Sequence, residues 1–242
     1  MSKTFKLDGR EIPFIPGQTI MDAALAAGVY IPHLCHNPDY APHGSCRVCV
    51  VDVGGRQVSA CTAPAAGGME VDSSSEAIQS LRRAILQMLF VEGNHVCPAC
   101  EASGNCQLQA VAYYTGMLSP HFTHFFPRRP VDASHPDTMI DFDRCILCEL
   151  CVRASRDHDG KRVFAVSGRG LDSRLVIDSP SGLLGDSSFA ATDRAAHVCP
   201  TGAILPKHKG YEAPIGARLY DREPISTVGD AHSLHEPHEE VD

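Results

Sequence analysis

The chain has 242 residues, 43% of them hydrophobic, and a formal net charge of -8 at pH 7. No segment approaches the roughly 18 consecutive apolar residues that a membrane span requires, and the N-terminus MSKTFKLDGR lacks the apolar core of a secretory signal. The 21 lysines and arginines are scattered, which excludes the concentrated basic surface of a nucleic-acid-binding protein. We therefore expect a cytoplasmic globular protein without a membrane span or a nucleic-acid partner.

The first part of the chain, about residues 1 to 75, is predicted to form a compact α+β unit. KTFKLDGREIPFI indicates two strands joined at Asp8-Gly9, a strong hairpin signal. A helix should follow, because Thr19 can cap it and Asp22 lies where a capping box places an acid. CRVCVVDVGG and RQVSACTA then alternate like two strands around a Gly-Gly turn.

The segment SSSEAIQSLRRAILQMLFVEGNH is the clearest helix in the sequence. Ser73 and Glu76 have the spacing of a capping box, and Gly93 supplies a stop. Apolar side chains recur at helical spacing, namely Ile78, Leu81, Ile85 and Met88 or Leu89. This helix leads directly into a cluster of cysteines.

Two later segments are predicted to be irregular. YYTGMLSPHFTHFFPRRPVDASHP is rich in turn residues and aromatics, which favours a segment packed over something rather than a free linker. The final segment VGDAHSLHEPHEEVD is polar and is predicted to be disordered.

The eleven cysteines are the main chemical signal in this sequence. Their number is odd, and a reducing cytoplasm keeps thiols free, so metal ligation is a better explanation than a disulfide framework. Their spacing defines three groups: Cys35, Cys46, Cys49 and Cys61; Cys97, Cys100 and Cys106; and Cys145, Cys148, Cys151 and Cys199. Four, three and four thiols leave the middle group one ligand short.

The first group matches the requirement of a [2Fe-2S] cluster, which needs four thiolates. Ten residues separate Cys35 from Cys46, a longer gap than the four residues of the plant-type ferredoxin spacing. In GSCRVC, small residues stand where backbone amides can point at sulfur. A structural zinc site is the alternative, although zinc motifs normally contain two close cysteine pairs and this group has one.

The third group matches one half of a two-cluster bacterial ferredoxin. Cys145, Cys148 and Cys151 begin the ferredoxin run, but Ser155 occupies its fourth position. Counting back from Cys199-Pro200, the positions of a second run hold Phe189, Thr192 and Ala195, none of which is a ligand. We therefore predict a single [4Fe-4S] cluster, with mononuclear zinc as the alternative.

Three motifs together resemble the iron-sulfur diaphorase subunit of cytoplasmic NAD-reducing nickel-iron hydrogenases: YIPHLC with GSCRVCVV and SACTAP, EGNHVCPACEASGNCQLQ, and DFDRCILCELCVRAS with HVCPTGAI. This family is related to the N-terminal part of the large iron-sulfur subunit of complex I and to iron-only hydrogenases. The resemblance covers about residues 3 to 220. NAD-dependent formate dehydrogenases carry a similar module.

The resemblance implies an α+β protein of three cluster domains. A [2Fe-2S] ferredoxin-like (β-grasp) domain spans 1–78, and a small [4Fe-4S] domain with one histidine and three cysteine ligands spans 79–130. A bacterial ferredoxin-like [4Fe-4S] domain spans 131–210. Residues 211–242 then form a C-terminal strap against a partner and a disordered tail.

The middle group provides three corners of a second [4Fe-4S] cluster, and the resembling proteins fill the fourth with an upstream histidine, which makes His95 the candidate. One residue separates His95 from Cys97, whereas complex I and iron-only hydrogenases have three. The alternatives are an exogenous ligand, a [3Fe-4S] cluster, or another histidine such as His121 or His124. A neutral imidazole in place of a thiolate is expected to raise the cluster potential.

The sequence contains no G-x-G-x-x-G motif after a strand, and VSGRGLDS is better interpreted as a loop. Hydride chemistry then belongs to a partner subunit. We expect a non-catalytic electron-transfer subunit between a nickel-iron hydrogenase, with its small and large subunits, and a flavin- and NAD-binding diaphorase subunit. The alternatives are the equivalent subunit of a formate dehydrogenase or complex I-like NADH dehydrogenase, and a zinc-stabilised scaffold protein.

Overall fold

The computed structural model describes residues 3–230, which form three β-sheets and the helices packed on them. The strands are β1 (Lys3–Leu7), β2 (Arg10–Phe14), β3 (Val50–Val53), β4 (Arg56–Ser59), β5 (Glu70–Asp72), β6 (Val131–Asp132), β7 (Thr138–Asp141), β8 (Phe164–Ser167), β9 (Arg174–Ile177) and β10 (Ile204–Pro206). The helices are α1 (Ile20–Ala26), α2 (Glu76–Glu92), α3 (Gln107–Tyr114), α4 (Leu150–Asp157) and α5 (Ile225–Val228). No helix among these residues is long and apolar enough to cross a membrane.

The N-terminal sheet has the strand order β2-β1-β5-β3-β4. Both predicted hairpins are confirmed, since β1 pairs antiparallel with β2 and β3 with β4, while β1 and β5 run parallel. The predicted cap of α1 is also confirmed: Thr19 Oγ1 accepts from the Asp22 amide at 3.1 Å, and Asp22 Oδ2 accepts from the Thr19 amide at 3.0 Å. The apolar faces of this sheet and of α1 form one hydrophobic core.

Helix α2 begins after Ser75, and the predicted capping box of Ser73 and Glu76 is wrong. Asp72 Oδ1 instead accepts from the amides of Ser74 and Ser75 at 3.0 and 2.9 Å. Ser73 is buried, and both its carbonyl and its hydroxyl accept hydrogen bonds from Arg82. The buried Arg82 therefore binds the Ser73 hydroxyl that the sequence pattern predicts as the helix cap.

The buried face of α2 also differs from the predicted stripe. Ile78, Arg82 and Leu86 are buried at four-residue spacing, whereas Met88 is half exposed. The helix lies between the N-terminal sheet and a second core, so it needs contacts on more than one side: Leu86 belongs to the second core, and Ile85 packs against it. The spacing of apolar residues alone does not predict that an arginine, Arg82, occupies the centre of the buried face of α2.

The second core unites the remaining parts of the chain. It combines α3, α4, the sheet β10-β7-β6 and the hairpin β8-β9, and it also includes Leu34 and Cys35 from the N-terminal unit. Val166 and Ser167 of VSGRGLDS end β8, and residues 168–173 form the β8-β9 connection, which confirms the interpretation of the two glycines as part of a loop. The proposed boundaries at 78, 130 and 210 remain predictions, because this core runs across them.

The irregular segments differ from expectation in two respects. Of the segment 113–136 that is predicted to be irregular, residues 115–130 contain no helix or strand, but Tyr113 and Tyr114 end α3 and Val131–Asp132 form β6. Leu118, Phe125 and Phe126 are largely exposed. In the C-terminal segment, Val228 lies in α5, and Asp230 accepts a hydrogen bond from Gln107 Nε2 and pairs with His33 Nε2, each at 2.7 Å. The prediction of disorder is therefore wrong for residues 228–230, and 231–242 lie outside the described residues.

Candidate metal centres

The structure brings thiols of the first group together. Cys49 Sγ and Cys61 Sγ lie 3.4 Å apart, and all four side chains of the group are buried. The pKa of Cys35 is lowered because the thiols of Cys46 and Cys61 donate to its sulfur. The pKa of Cys49 falls to about 7 because Cys61 donates to it. Cys35 and Cys49 are thus favoured as thiolates, the form that ligates iron, while the donated hydrogen bonds and burial raise the pKa of Cys46 and of Cys61.

Backbone amides reinforce this stabilisation in the first group. The amide of Cys46 donates to the Cys35 sulfur, and the amide of Val48 donates to the Cys46 sulfur. Arg47, between them, adopts a left-handed backbone conformation with φ 60°, which is uncommon for a side-chain-bearing residue. The amide contacts predicted from GSCRVC are present.

The middle group surrounds one small cavity after α2. Cys97 begins a short 3-10 turn, Cys106 caps α3, and both line the cavity together with Cys100 and His95. His95 Nε2 is buried and lacks a hydrogen-bond partner among the described residues. Such an orphaned polar atom carries a desolvation cost unless a further group satisfies it. A metal ion is one group that would do so.

The protonation of His95 also suits ligation. Burial, with the charge of Arg144 as a smaller contribution, lowers the pKa of His95 to about 4, so its imidazole is neutral at pH 7. His124 lies on the wall of a larger cleft that His95 also reaches, but it does not line the small cavity, and its Nδ1 accepts from the Phe126 amide at 2.9 Å. His121 is exposed. Of these three histidines, His95 is the one that lines the small cavity with the cysteines.

The third group lines another small cavity. Cys145 follows the 3-10 turn Phe142–Arg144, Cys151 lies in the first turn of α4, and Cys199 precedes β10. Burial raises the pKa of Cys145 to about 11 and also raises the pKa of Cys148 and Cys151. Buried thiols that carry this desolvation cost are stabilised as thiolates by a bound metal.

The position of a second ferredoxin cluster is filled by protein. Ser155 is buried, and its Oγ accepts from the Val163 amide at 2.9 Å. Phe189 and Ala195 are also buried, and the ring of Phe189 packs edge-on against Phe164 with centroids 5.8 Å apart. Buried apolar side chains thus occupy two of the three positions of the second run that lack ligands, Phe189 and Ala195.

Two arginines that the sequence patterns did not single out connect the three groups. Arg153 is buried; its Nη2 donates to the Cys35 carbonyl and, at 3.5 Å, to the Cys148 carbonyl. Arg144 Nη1 lies 3.4 Å from Cys100 Sγ, although residue 144 directly precedes the third group. The signal available in the sequence was an arginine inside each of the motifs FDRC and CVRAS. Spacing alone does not reveal the distant partners of these arginines.

A cleft of about 1030 Å³ opens beside the middle group. Residues from the irregular segment and from the predicted C-terminal strap form its walls. The strap packs on this chain: Tyr211 Oη donates to the Ala99 carbonyl at 3.0 Å, and the Tyr220 amide donates to the Gly104 carbonyl at 2.9 Å.

Within residues 3–230, no group of three or more His, Cys, Asp or Glu side chains is arranged to hold a single metal ion, and this includes the three cysteine groups.

Three protein families match successive parts of the chain. A 2Fe-2S iron-sulfur cluster binding domain matches residues 2–76, the NADH-ubiquinone oxidoreductase-G iron-sulfur binding region matches 82–121, and a 4Fe-4S single cluster domain matches 139–205. Their order agrees with the predicted order of domains and confirms the predicted fold class.

Curated relatives extend the similarity over most of the chain. The gamma subunit of the NAD-reducing hydrogenase HoxS from Cupriavidus necator is 40% identical over 91% of this chain and 94% of its own length. The alpha subunit of a NADPH-Fe(3+) oxidoreductase from Geobacter sulfurreducens is 34% identical over 83% of this chain. The mitochondrial NADH-ubiquinone oxidoreductase 78 kDa subunit from Candida albicans is 32% identical over 86% of this chain. The matches cover only 24% and 29% of those two longer proteins.

A solved structure agrees with this relationship. A chain in the crystal structure of an NAD+-reducing [NiFe]-hydrogenase in the H2-reduced state superposes with a TM-score of 0.92 and 53% sequence identity. The match covers 96% of this chain and 99% of that chain.

Proposed function

The chain belongs to the family of the gamma subunit of NAD-reducing hydrogenase, and we propose that it relays single electrons between a nickel-iron hydrogenase module and a flavin-containing subunit that reduces NAD. In this role it is a non-catalytic, cytoplasmic subunit that contacts the hydrogenase small and large subunits and the diaphorase. The observation that carries the proposal is the presence of three groups of buried or half-buried thiols that two arginines connect to one another.

The residues fit three clusters. We propose that Cys35, Cys46, Cys49 and Cys61 hold a [2Fe-2S] cluster, that His95, Cys97, Cys100 and Cys106 hold a [4Fe-4S] cluster, and that Cys145, Cys148, Cys151 and Cys199 hold a second [4Fe-4S] cluster. Bound iron-sulfur clusters supply one-electron redox chemistry. The protein supplies the thiolates, the amide donors to sulfur and a surrounding that limits access of water.

The spatial order of the groups differs from their order along the chain. Arg153 joins the first group to the third through the carbonyls of Cys35 and Cys148. The third group adjoins the middle one, where Cys106 Sγ lies 3.8 Å from the carbonyl of Pro200, next to Cys199. We propose that electron transfer follows this order, with the third group between the other two.

The exposed apolar rim of the cleft supports docking of a partner beside the middle group. Leu118, Phe126 and Ile215 line the cleft, with exposed fractions of 79%, 74% and 86%. Large apolar side chains gathered around one opening are typical of a protein-protein contact. A partner bound there would cover the middle group, which stands last in the proposed order of electron transfer. Its own redox centre would then lie near the middle cluster.

Anaerobic iron and acid-labile sulfide analysis of the purified full-length protein tests the proposal. Three such clusters predict about ten iron and about ten sulfide per chain. Cys199→Ser should lower iron to about six, because it removes a ligand from one four-iron cluster. A colourless protein that holds two or three zinc ions would refute electron transfer in favour of the scaffold alternative.

The parent complex is tested separately by isolating the chain with its native partners. Copurification of nickel supports the hydrogenase assignment. Copurification of molybdenum without nickel would instead identify a formate dehydrogenase. Copurification with a quinone-reducing complex that contains neither metal would identify a complex I relative.

A further inference from the structure

Arg144 is next to the third group in the sequence, but its side chain contacts the middle group. It ends the 3-10 turn Phe142–Arg144 and directly precedes Cys145. Its side chain extends to the middle group, where Nη1 donates to Cys100 Sγ at 3.4 Å. The side chain is only 16% exposed, so water screens this contact weakly.

Two carboxylates hold the guanidinium in this position. Glu101 Oε2 accepts from Nη1 at 2.7 Å, and Asp141 Oδ2 lies 2.8 Å from Nε. The Arg144 carbonyl accepts from Thr201 Oγ1 at 2.9 Å, and the same hydroxyl lies 3.6 Å from Cys199 Sγ. The backbone and the side chain of one residue are thereby connected to ligands of two different groups.

Gly202 permits the close approach of these elements. A Cβ at this position would lie 3.1 Å from Cys100 Sγ and 2.9 Å from the Cβ of Ala102. It would also lie 3.5 Å from Arg144 Nη1. A larger residue would push the Cys199 loop away from the cysteine that Arg144 contacts.

Arginine keeps its positive charge at any physiological pH. A cation that donates to a ligand sulfur favours the more negative, reduced state of a cluster, so it raises the reduction potential. The adjacent carboxylate of Glu101 opposes this effect. We propose that Arg144 raises the reduction potential of the middle cluster and that Glu101 limits the rise. This inference rests on the proposed ligation of that cluster by Cys97, Cys100 and Cys106.

The test is an EPR-monitored redox titration of the full complex that carries Arg144→Gln. Glutamine retains an N–H donor but removes the charge. The one-electron equilibrium constant for reduction of the middle cluster should fall about tenfold, which corresponds to a downward shift of about 59 mV. Arg156→Gln removes the same charge from an exposed residue that pairs with Asp157 and does not line the cavity of the middle group, so it should leave this potential unchanged.

Glu101→Gln supplies a test of opposite sign. Loss of the carboxylate leaves the Arg144 charge less compensated, so the potential of the middle cluster should rise. Loss of any carboxylate beside the cluster would act in this direction, so the rise measures the contribution of Glu101, and the fall in Arg144→Gln measures that of Arg144. If Arg144→Gln does not retain the cluster, Arg144→Lys serves instead: it keeps the positive charge and should leave the potential near that of the unmodified complex, and a fall of about tenfold in its equilibrium constant refutes the proposal.

An unchanged potential in Arg144→Gln, or shifts of the same sign in both variants, would overturn the role of Arg144. Absence of any four-iron signal from the middle group in the unmodified complex would instead overturn the proposed ligation. The two failures are thus distinguishable.

Discussion

Arg82→Ala is expected to lower the free energy of unfolding by about 3–5 kcal/mol. The guanidinium is fully buried and donates to the carbonyls of Val48, Val50 and Ser73 at 3.2, 2.7 and 2.6 Å. Alanine would leave these buried acceptors unpaired and open a cavity. Since Val48 lies between two cysteines of the first group, the same variant should weaken retention of the [2Fe-2S] cluster.

The measurement is the urea concentration at which the helical circular dichroism of the full-length, cluster-loaded protein is lost. Arg83→Ala is the matched control on the same helix, because Arg83 pairs with Glu76 at the surface. Such exposed pairs contribute about 1 kcal/mol or less. Equal, small shifts in both variants would show that the bonds of Arg82 are not a main connection between α2 and the cluster loop.

His95→Ala is expected to remove the middle cluster and to lower the iron content by about four per chain. His95→Cys should restore that iron. Because cysteine adds a negative thiolate in place of a neutral imidazole, the EPR-detected potential of the middle cluster should shift downward. The physical basis is the buried Nε2 of a residue that lines the same cavity as the three thiols and lacks a hydrogen-bond partner in the described residues.

His124→Ala is the matched control, because His124 lies on the wall of the larger cleft and contacts Phe126. It should retain about ten iron per chain. Loss of iron from His124→Ala with full retention in His95→Ala would transfer the ligand assignment to His124. Full iron in both variants, with no shift of any potential in His95→Cys, would favour an exogenous ligand.

Local patterns predicted most of the regular structure near the first group. Both hairpins and the Thr19 cap involve residues a few positions apart, so short-range turn and capping rules suffice. The Ser73 cap failed because a residue nine positions away takes its hydroxyl. Burial of an arginine in the middle of a helix face depends on tertiary contacts, and the spacing of apolar residues does not predict it.

The sequence by itself determined the three cysteine groups and showed that the middle group has one thiol fewer than the others, and the resemblance of its three motifs indicated the family. The groups follow from ligand spacing, because a metal cluster constrains which nearby residues can reach it. Only the tertiary structure decided which histidine lines the cavity of the middle thiols, that the third group adjoins both others, and that arginines join them. The contacts of Arg144 with Cys100 and of Arg153 with Cys35 span 44 and 118 residues, and such pairings depend on packing of a core shared by all three regions rather than on local sequence.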